Sequence, residues 1–286
     1  MPAEEVRDGA LAGTPPRALI VSVYGLYARR IGGWLGVGAL VRLLAPLGVD
    51  DSAVRSAVSR LKRRGLLIAE EVGGAAGYAL SDRGRAILDE GDRRIFARPH
   101  GEPASGWLLA VFSVPEAERD QRHRLRSQLT WLGFGTVSAG VWVAPAHLEE
   151  PARAALESSA LSKYVDLFRA DYVAFRPERE QVASWWDLDG LETMYEQFVS
   201  DYGTRLARWR RRRRDDDAEA FADYVDVVTH WRRLPFLDPG LPPELLPARW
   251  RGAQAADIFF ELHTRLAPAA QRFVDGVLRP QSGRTA

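Results

Sequence analysis

At Gly65 the hydrophobic period of this chain switches from that of a helix to that of a strand, and this switch constrains the fold more than any other feature. Upstream of it, Leu19, Ile20, Val23, Leu26 and Tyr27 recur at spacings of three and four and predict a first helix over Arg17 to Arg30. The glycines of Ile31-Gly32-Gly33-Trp34 end it, and the glycine-rich run from Gly32 to Gly38, with no strand before it, reads as a loop between helices. Val37 to Leu44 predicts a short second helix with Leu40, Leu43 and Leu44 inward, closed by Pro46 and Gly48. Asp50, Asp51 and Ser52 are good N-cap residues for a third helix running to Arg64. Downstream, Leu66 to Glu71 and Tyr78 to Leu80 flank a turn at Gly73-Gly74-Ala75-Ala76-Gly77, the pattern of a β-hairpin. Three helices followed by a hairpin make a winged helix over residues 17–98, preceded by an arm, 1–16, expected to be disordered. Ser81 to Arg85 opens a further helix leaving the domain.

The third helix has two chemically different sides. Val54, Ala57, Val58 and Leu61 form one apolar stripe. Ser52, Ser56, Ser59 and Arg63 project opposite, with Arg55, Arg60 and Lys62 on the flanks, and no acid lies between Arg55 and Arg64. Small hydroxyl residues let a helix approach base edges in a major groove, while long cations reach phosphates. Ser52, Ser56 and Ser59 are therefore candidates for base contacts. Arg55, Arg60, Lys62 and Arg63 are candidates for phosphate contacts, and Arg55 and Arg63 also for reading guanine. A merely solvated helix face is the competing account; the element order, the hydroxyl stripe and the Gly-tipped hairpin favour double-stranded DNA. Arg83 fits a structural role as well as a phosphate contact.

Arg98 to Pro103 reads as a linker. After it, a strand (Trp107 to Val114), a helix (Glu116 to Leu132), strands beginning at Gly133 and Gly140, a helix (Leu148 to Leu161) and a strand (Val165 to Ala170) give the βαββαβ order of a ferredoxin-like domain over 104–177. Edge-to-edge pairing in such a domain is a common route to a homodimer. From Trp185 the pattern is helical, with helices over Asp189 to Trp209, Ala218 to Trp231 and Ala253 to Leu278 forming a C-terminal helical domain, 184–280. The expected class is thus α+β and multidomain. The Trp185-Trp186 pair suits core packing or stacking on an aromatic ligand, and Asp187 suits a cap for the next helix. The block Arg208 to Arg214, answered by Asp215 to Asp217, suits a solvated helix end or an anionic contact.

Composition removes several chemistries. There is no cysteine, so disulfides, thiolate metal sites and cysteine nucleophiles are excluded. The five histidines, at 100, 123, 147, 230 and 263, show no paired spacing for zinc, and no Walker loop or G-x-S-x-G elbow occurs. No cofactor, metal or catalytic residue is expected. The longest early apolar run, Ala18 to Ala28, falls short of the roughly 20 residues a bilayer needs; with an acidic, Gly/Pro-bearing N-terminus, this gives a cytoplasmic expectation with no membrane partner.

The motifs PRALIVSVYGLYAR, VRSAVSRLKRRGLL, LTWLGFGTVSAGVWVAP, WWDLDGLETMYEQF and LPFLDPGLPPELLPARW, spread in order from about Arg17 to Asp275, resemble the PaaX family of bacterial transcriptional repressors. The resemblance implies a winged helix, a Cas2-like middle domain, a helical C-terminal domain, and a homodimeric repressor released from operator DNA by a small effector, an aryl-acyl-CoA in the name-giving members. Cas2-type nucleases and many relatives end the first middle-domain strand with an aspartate, in a pattern like F-D-I-P; this chain has Phe112-Ser113-Val114-Pro115. Without a carboxylate at Ser113 a metal-dependent nuclease lacks its expected ligand. A winged helix that meets protein instead of DNA is the other alternative, separable by salt dependence, since each phosphate contact contributes roughly 0.9 to the slope of log K against log salt.

Overall fold

The computed structural model describes residues 14–96, 106–173, 175–212, 214 and 216–279, and the linker expected at Arg98 to Pro103 lies outside them. The chain divides into two compact units. One gathers the described residues of Leu11–Ala97, Phe198–Arg232 and Gln254–Ala286; the other gathers those of Arg98–Gln197 together with Arg233–Ala253.

In the first unit, α1 (Pro16–Leu26), α2 (Val37–Leu44) and α3 (Asp51–Arg63) bury the predicted stripes. Leu19, Ile20, Val23 and Tyr27 are buried, as are Leu40, Leu43 and Leu44. Helix α1 stops at Leu26, four residues before the expected end, and a 3-10 turn over Ala28–Ile31 carries the chain to Gly32 and Gly33. Both glycines have positive φ, 94° and 86°, where other residues are strained. The glycine-rich run is not simply a loop: Trp34–Gly36 forms strand β1. A three-residue strand is too short to show a period of two, so the sequence pattern missed it. Strands β2 (Leu67–Val72) and β3 (Ala75–Leu80) form the hairpin, and the sheet order is β1-β3-β2, all antiparallel. The turn is only Gly73-Gly74, with φ of 59° and 78°, the two positive angles a tight I′ connection requires. Ala75, Ala76 and Gly77, expected in the turn, belong to β3.

Helix α4 (Asp82–Ile95) follows, its first turn capped by Ser81. The C-terminal part of helix α8 (Leu188–Arg211), then α9 (Asp217–Trp231) and α10 (Gly252–Leu278), complete this unit. Helix α9 lies against α1: the hydroxyls of Ser22 and Thr229 bond at 2.7 Å in the interior, and Tyr27 meets Phe221 with ring centroids 5.7 Å apart. Trp231 stacks on Phe259 at 4.6 Å and donates its indole N–H to the Ile95 carbonyl at 2.9 Å. Thr14 to Pro16, expected within the disordered arm, are held: Pro16 starts α1 and the Thr14 hydroxyl donates to Asp226 Oδ1 at 3.3 Å. The arm's other residues, 1–13, lie outside the described part.

The second unit holds β4 (Trp107–Phe112), α5 (Arg119–Leu132), β5 (Gly135–Ser138), β6 (Val141–Pro145), α6 (Glu149–Ser158) and β7 (Val165–Ala170). The sheet is antiparallel with order β5-β6-β4-β7, the ferredoxin-like arrangement. Leu108, Ala110 and Phe112 alternate inward onto Leu125, Leu129, Ala152 and Leu156. On the opposite face, Trp107 and Val143 pack with Val182 of α7 (Glu178–Trp185), Leu188 and Leu241. The Trp185-Trp186 pair belongs to that second core. Both rings contact Trp107, with centroids 5.3 and 5.9 Å away, and Trp186 donates to the Gly133 carbonyl at 3.0 Å. Asp187 caps the next helix by accepting from the Gly190 N–H at 3.0 Å. No helix among the described residues is long and apolar enough to cross a membrane.

Candidate nucleic-acid interface

Helix α3 is fixed at both ends by its own sequence. At the start, Asp50 Oδ1 accepts from the Ala53 N–H and from the Ser52 hydroxyl, each at 2.8 Å, satisfying a donor that the helix cannot pair internally. The Ala53 N–H, helped by Ser52, holds the Asp50 carboxyl below its ordinary pKa. At the other end Gly65 takes φ of 71°; its N–H bonds the Lys62 carbonyl at 2.9 Å, and that of Leu66 the Leu61 carbonyl at 3.1 Å. This is a Schellman closure, which favours glycine at that position. Arg60, Lys62 and Arg63 occupy the last turn, where cations also suit the helix dipole.

Between the ends the helix separates by face. Val54 and Ala57 are fully buried, and Val58 and Leu61 nearly so. Ser52, Arg55, Ser56, Ser59, Arg60, Lys62 and Arg63 are all exposed. The predicted residues therefore share one open surface, though not one chemical state. Arg55 Nε pairs with Asp51 at 2.8 Å, and Arg60 donates to the Ser56 hydroxyl at 2.9 Å. Ser59, Lys62 and Arg63 make no side-chain hydrogen bond or ion pair with any described residue. Ser52 already spends its proton on Asp50, so towards a base it can only accept. The Asp50-Asp51-Ser52 sequence at a helix start is the signal for that capping role.

Supports around the helix were not legible from spacing. Ser81 accepts from the Gly84 N–H at 3.0 Å and donates to the Gly65 carbonyl at 2.7 Å, tying the end of α3 to the start of α4. A side chain on Gly84 would meet the Leu66 carbonyl oxygen at 2.4 Å, so only glycine permits this approach. The Tyr24 hydroxyl donates to the Tyr78 carbonyl at 2.8 Å, anchoring the hairpin on α1, and burial pushes its pKa up. Arg83 reaches the Arg64 carbonyl only at 3.5 Å.

In the second arginine block Arg208, Arg210 and Arg212 are paired, while Arg211 and Arg214 are exposed and make no hydrogen bond or ion pair with any described residue. Arg208 pairs with Asp223 and, at 3.3 Å, with Glu219; Arg210 Nε bonds Glu261 at 2.6 Å; Arg212 meets Glu219 at 2.6 Å. These are cross-helix ion pairs within one unit, while Arg213 and Asp215 lie outside the described residues. Deeper in the same unit, Asp226 accepts from Arg205 at 2.6 Å and from the Tyr202 hydroxyl at 2.9 Å. Burial pushes the Asp226 carboxyl up, but His230 and Arg205 beside it outweigh that and hold it well below the usual carboxylate range. His263 Nδ1 and the Tyr224 hydroxyl share a hydrogen bond of 2.7 Å, and burial, then Arg30, pushes the His263 pKa down. No three histidine or acidic side chains among the described residues group as metal ligands would.

Three family models match the chain: one described as PaaX-like protein over residues 15–84, one as PaaX protein central Cas2-like domain over 101–182, and one as PaaX-like protein C-terminal domain over 186–276. The transcriptional repressor PaaX of Escherichia coli (strain K12) is 28% identical over 261 residues, which is 90% of this chain and 82% of that protein. A solved structure of the uncharacterized protein Rv0674 from Mycobacterium tuberculosis superposes with a TM-score of 0.58 at 25% identity, covering 92% of this chain and 98% of that one.

Proposed function

The chain belongs to the PaaX family, and from that membership we propose that it represses transcription by docking a winged helix, residues 17–98, on double-stranded operator DNA. A member of this family is a regulator and not an enzyme. The observation that carries the DNA reading is the exposed face of α3, on which serines and unpaired or weakly paired cations lie opposite a fully buried apolar stripe. Ser56 and Ser59 reach base edges, with Ser52 as a capping residue that also accepts. Arg55, Arg60, Lys62 and Arg63 meet phosphates, Arg55 and Arg63 being the two that also fit guanine. Arg55 leaves Asp51 at little expense, since an exposed i,i+4 pair is worth about 0.3–0.5 kcal/mol.

The repressor works as a homodimer on a pseudo-palindromic site, with helix centres about 34–36 Å apart or a multiple of that. The ferredoxin-like domain supports this: β7 is an edge strand, and Phe168 on it is 52% exposed. Ser113 at the end of β4 leaves this domain without the carboxylate that nuclease chemistry needs. A small-molecule effector, an acyl-CoA by family analogy, releases the DNA by favouring a state of lower affinity, through a coupling of roughly 1–3 kcal/mol. Genome-wide mapping of bound DNA, followed by titration of a recovered duplex across salt concentrations, tests the proposal. Discrete sites and a steep salt slope are expected. Binding with no salt slope, or no enrichment of any site, would refute it.

A further inference from the structure

The hairpin beside α3 carries charge of the opposite sign to the helix. From Leu67 to Leu80 it has no lysine or arginine, and Glu70 and Glu71 are both exposed on β2. The register sets Gly77 across from Glu70 and Ala76 across from Glu71, so no cation faces either carboxylate from β3. Neither makes an ion pair with any described residue. Consecutive strand residues point to opposite faces, so whichever face of the hairpin turns towards a duplex presents one carboxylate.

The strand bearing these carboxylates is braced. Trp34 Nε1 donates to the Glu70 carbonyl at 3.2 Å. Its ring lies where a Cβ on Gly77 would come within 2.5 Å of it, so the missing side chain at Gly77 makes the seat for the indole. Leu67, Ala79 and Leu80 are buried at the base.

We infer that Glu70 and Glu71 act as an electrostatic brake on DNA binding: held next to the recognition helix, they repel phosphates of any duplex and shorten the life of sequence-independent complexes. The inference rests on the reading that α3 docks on DNA. It also specifies how the affinity is shared, since the attraction comes from the cations of α3 while the hairpin opposes it. Because the repulsion acts on the phosphate backbone, it weakens specific and sequence-independent complexes alike, lowering total affinity without altering the ratio between them.

The test compares the full-length chain with the E70Q/E71Q variant on an arbitrary duplex of about 30 base pairs and on a duplex recovered by genomic mapping. A control variant, E157Q/E244Q, makes the same change in net charge at exposed positions of the other unit. For E70Q/E71Q the affinity for both duplexes should rise roughly three- to tenfold at about 0.1 M salt, with a steeper salt slope, because screening removes the repulsion as salt increases. The control should stay within about twofold of the unaltered chain. An unchanged affinity in E70Q/E71Q, or an equal rise in the control, overturns the brake while leaving the docking of α3 intact. Absence of salt-dependent duplex binding by the unaltered chain overturns the docking reading itself, and the brake with it.

Discussion

Replacing Arg63 with alanine separates DNA contact from folding more cleanly than any other change on α3. Its side chain is exposed and makes no hydrogen bond or ion pair with any described residue, so the main loss to the fold is a favourable dipole interaction of about 0.3–1 kcal/mol. Its loss from a phosphate can be worked from counterion release. One contact contributes roughly 0.9 to the salt slope, so at about 0.1 M salt its removal weakens binding about eightfold, or about 1.2 kcal/mol. At about 0.05 M the factor grows to roughly fifteen, and near 1 M it vanishes. Where two copies of α3 engage one site, the exponents double, giving a slope change of about 1.8 and a loss of roughly sixtyfold at about 0.1 M. Fluorescence anisotropy of a labelled duplex over a salt series, with thermal unfolding run in parallel, measures all of this. An Arg63→Ala protein with unaltered melting, unaltered affinity and unaltered slope would refute the placement of that guanidinium on DNA.

Other outcomes follow from the same geometry. Leu61→Ala removes a nearly fully buried side chain between α3 and the interior, and should destabilise the first unit by about 2–5 kcal/mol in denaturant unfolding. Asp50→Ala removes the cap that accepts from Ala53 and should lose about 1 kcal/mol, with a matching fall in DNA affinity as the start of α3 frays. The pKa of His263 lies below its ordinary value of 6.5 because of burial and Arg30, so the unfolded chain takes up the proton first. Stability should therefore fall as pH drops below about 6.5, and His263→Gln should flatten that part of the profile, His147 contributing in the same direction.

How far the sequence carried depends on the kind of signal. The buried stripes of α1, α2 and α3 were legible because apolar residues recurring every three or four positions fit one face of a helix and no strand, and the order of strands and helices from Trp107 to Ala170 was legible for a similar reason. Strand β1 was not, since three residues beside two glycines carry no period. The two-residue turn was blurred because Ala75, Ala76 and Gly77 look like loop residues, yet Gly77 is in the strand to make room for Trp34. All seven outer residues of α3 are exposed as their spacing implied, but their pairing was invisible: that Ser52 bonds Asp50, or Arg60 bonds Ser56, depends on rotamers. The placement of α9 against α1 through Ser22 and Thr229 joins residues more than two hundred positions apart, and no local pattern encodes it.

The most direct measurement uses the absence of cysteine from the chain. Ser56→Cys and Ser59→Cys each introduce a single thiol on the outer face of α3, and Ser158→Cys introduces one on an exposed helix of the other unit. Disulfide cross-linking to a recovered duplex carrying thiol-tethered bases, scanned position by position, should join residues 56 and 59 to a few neighbouring bases and leave 158 unreacted. Equal reaction at all three, or reaction at 158 alone, would contradict recognition through α3.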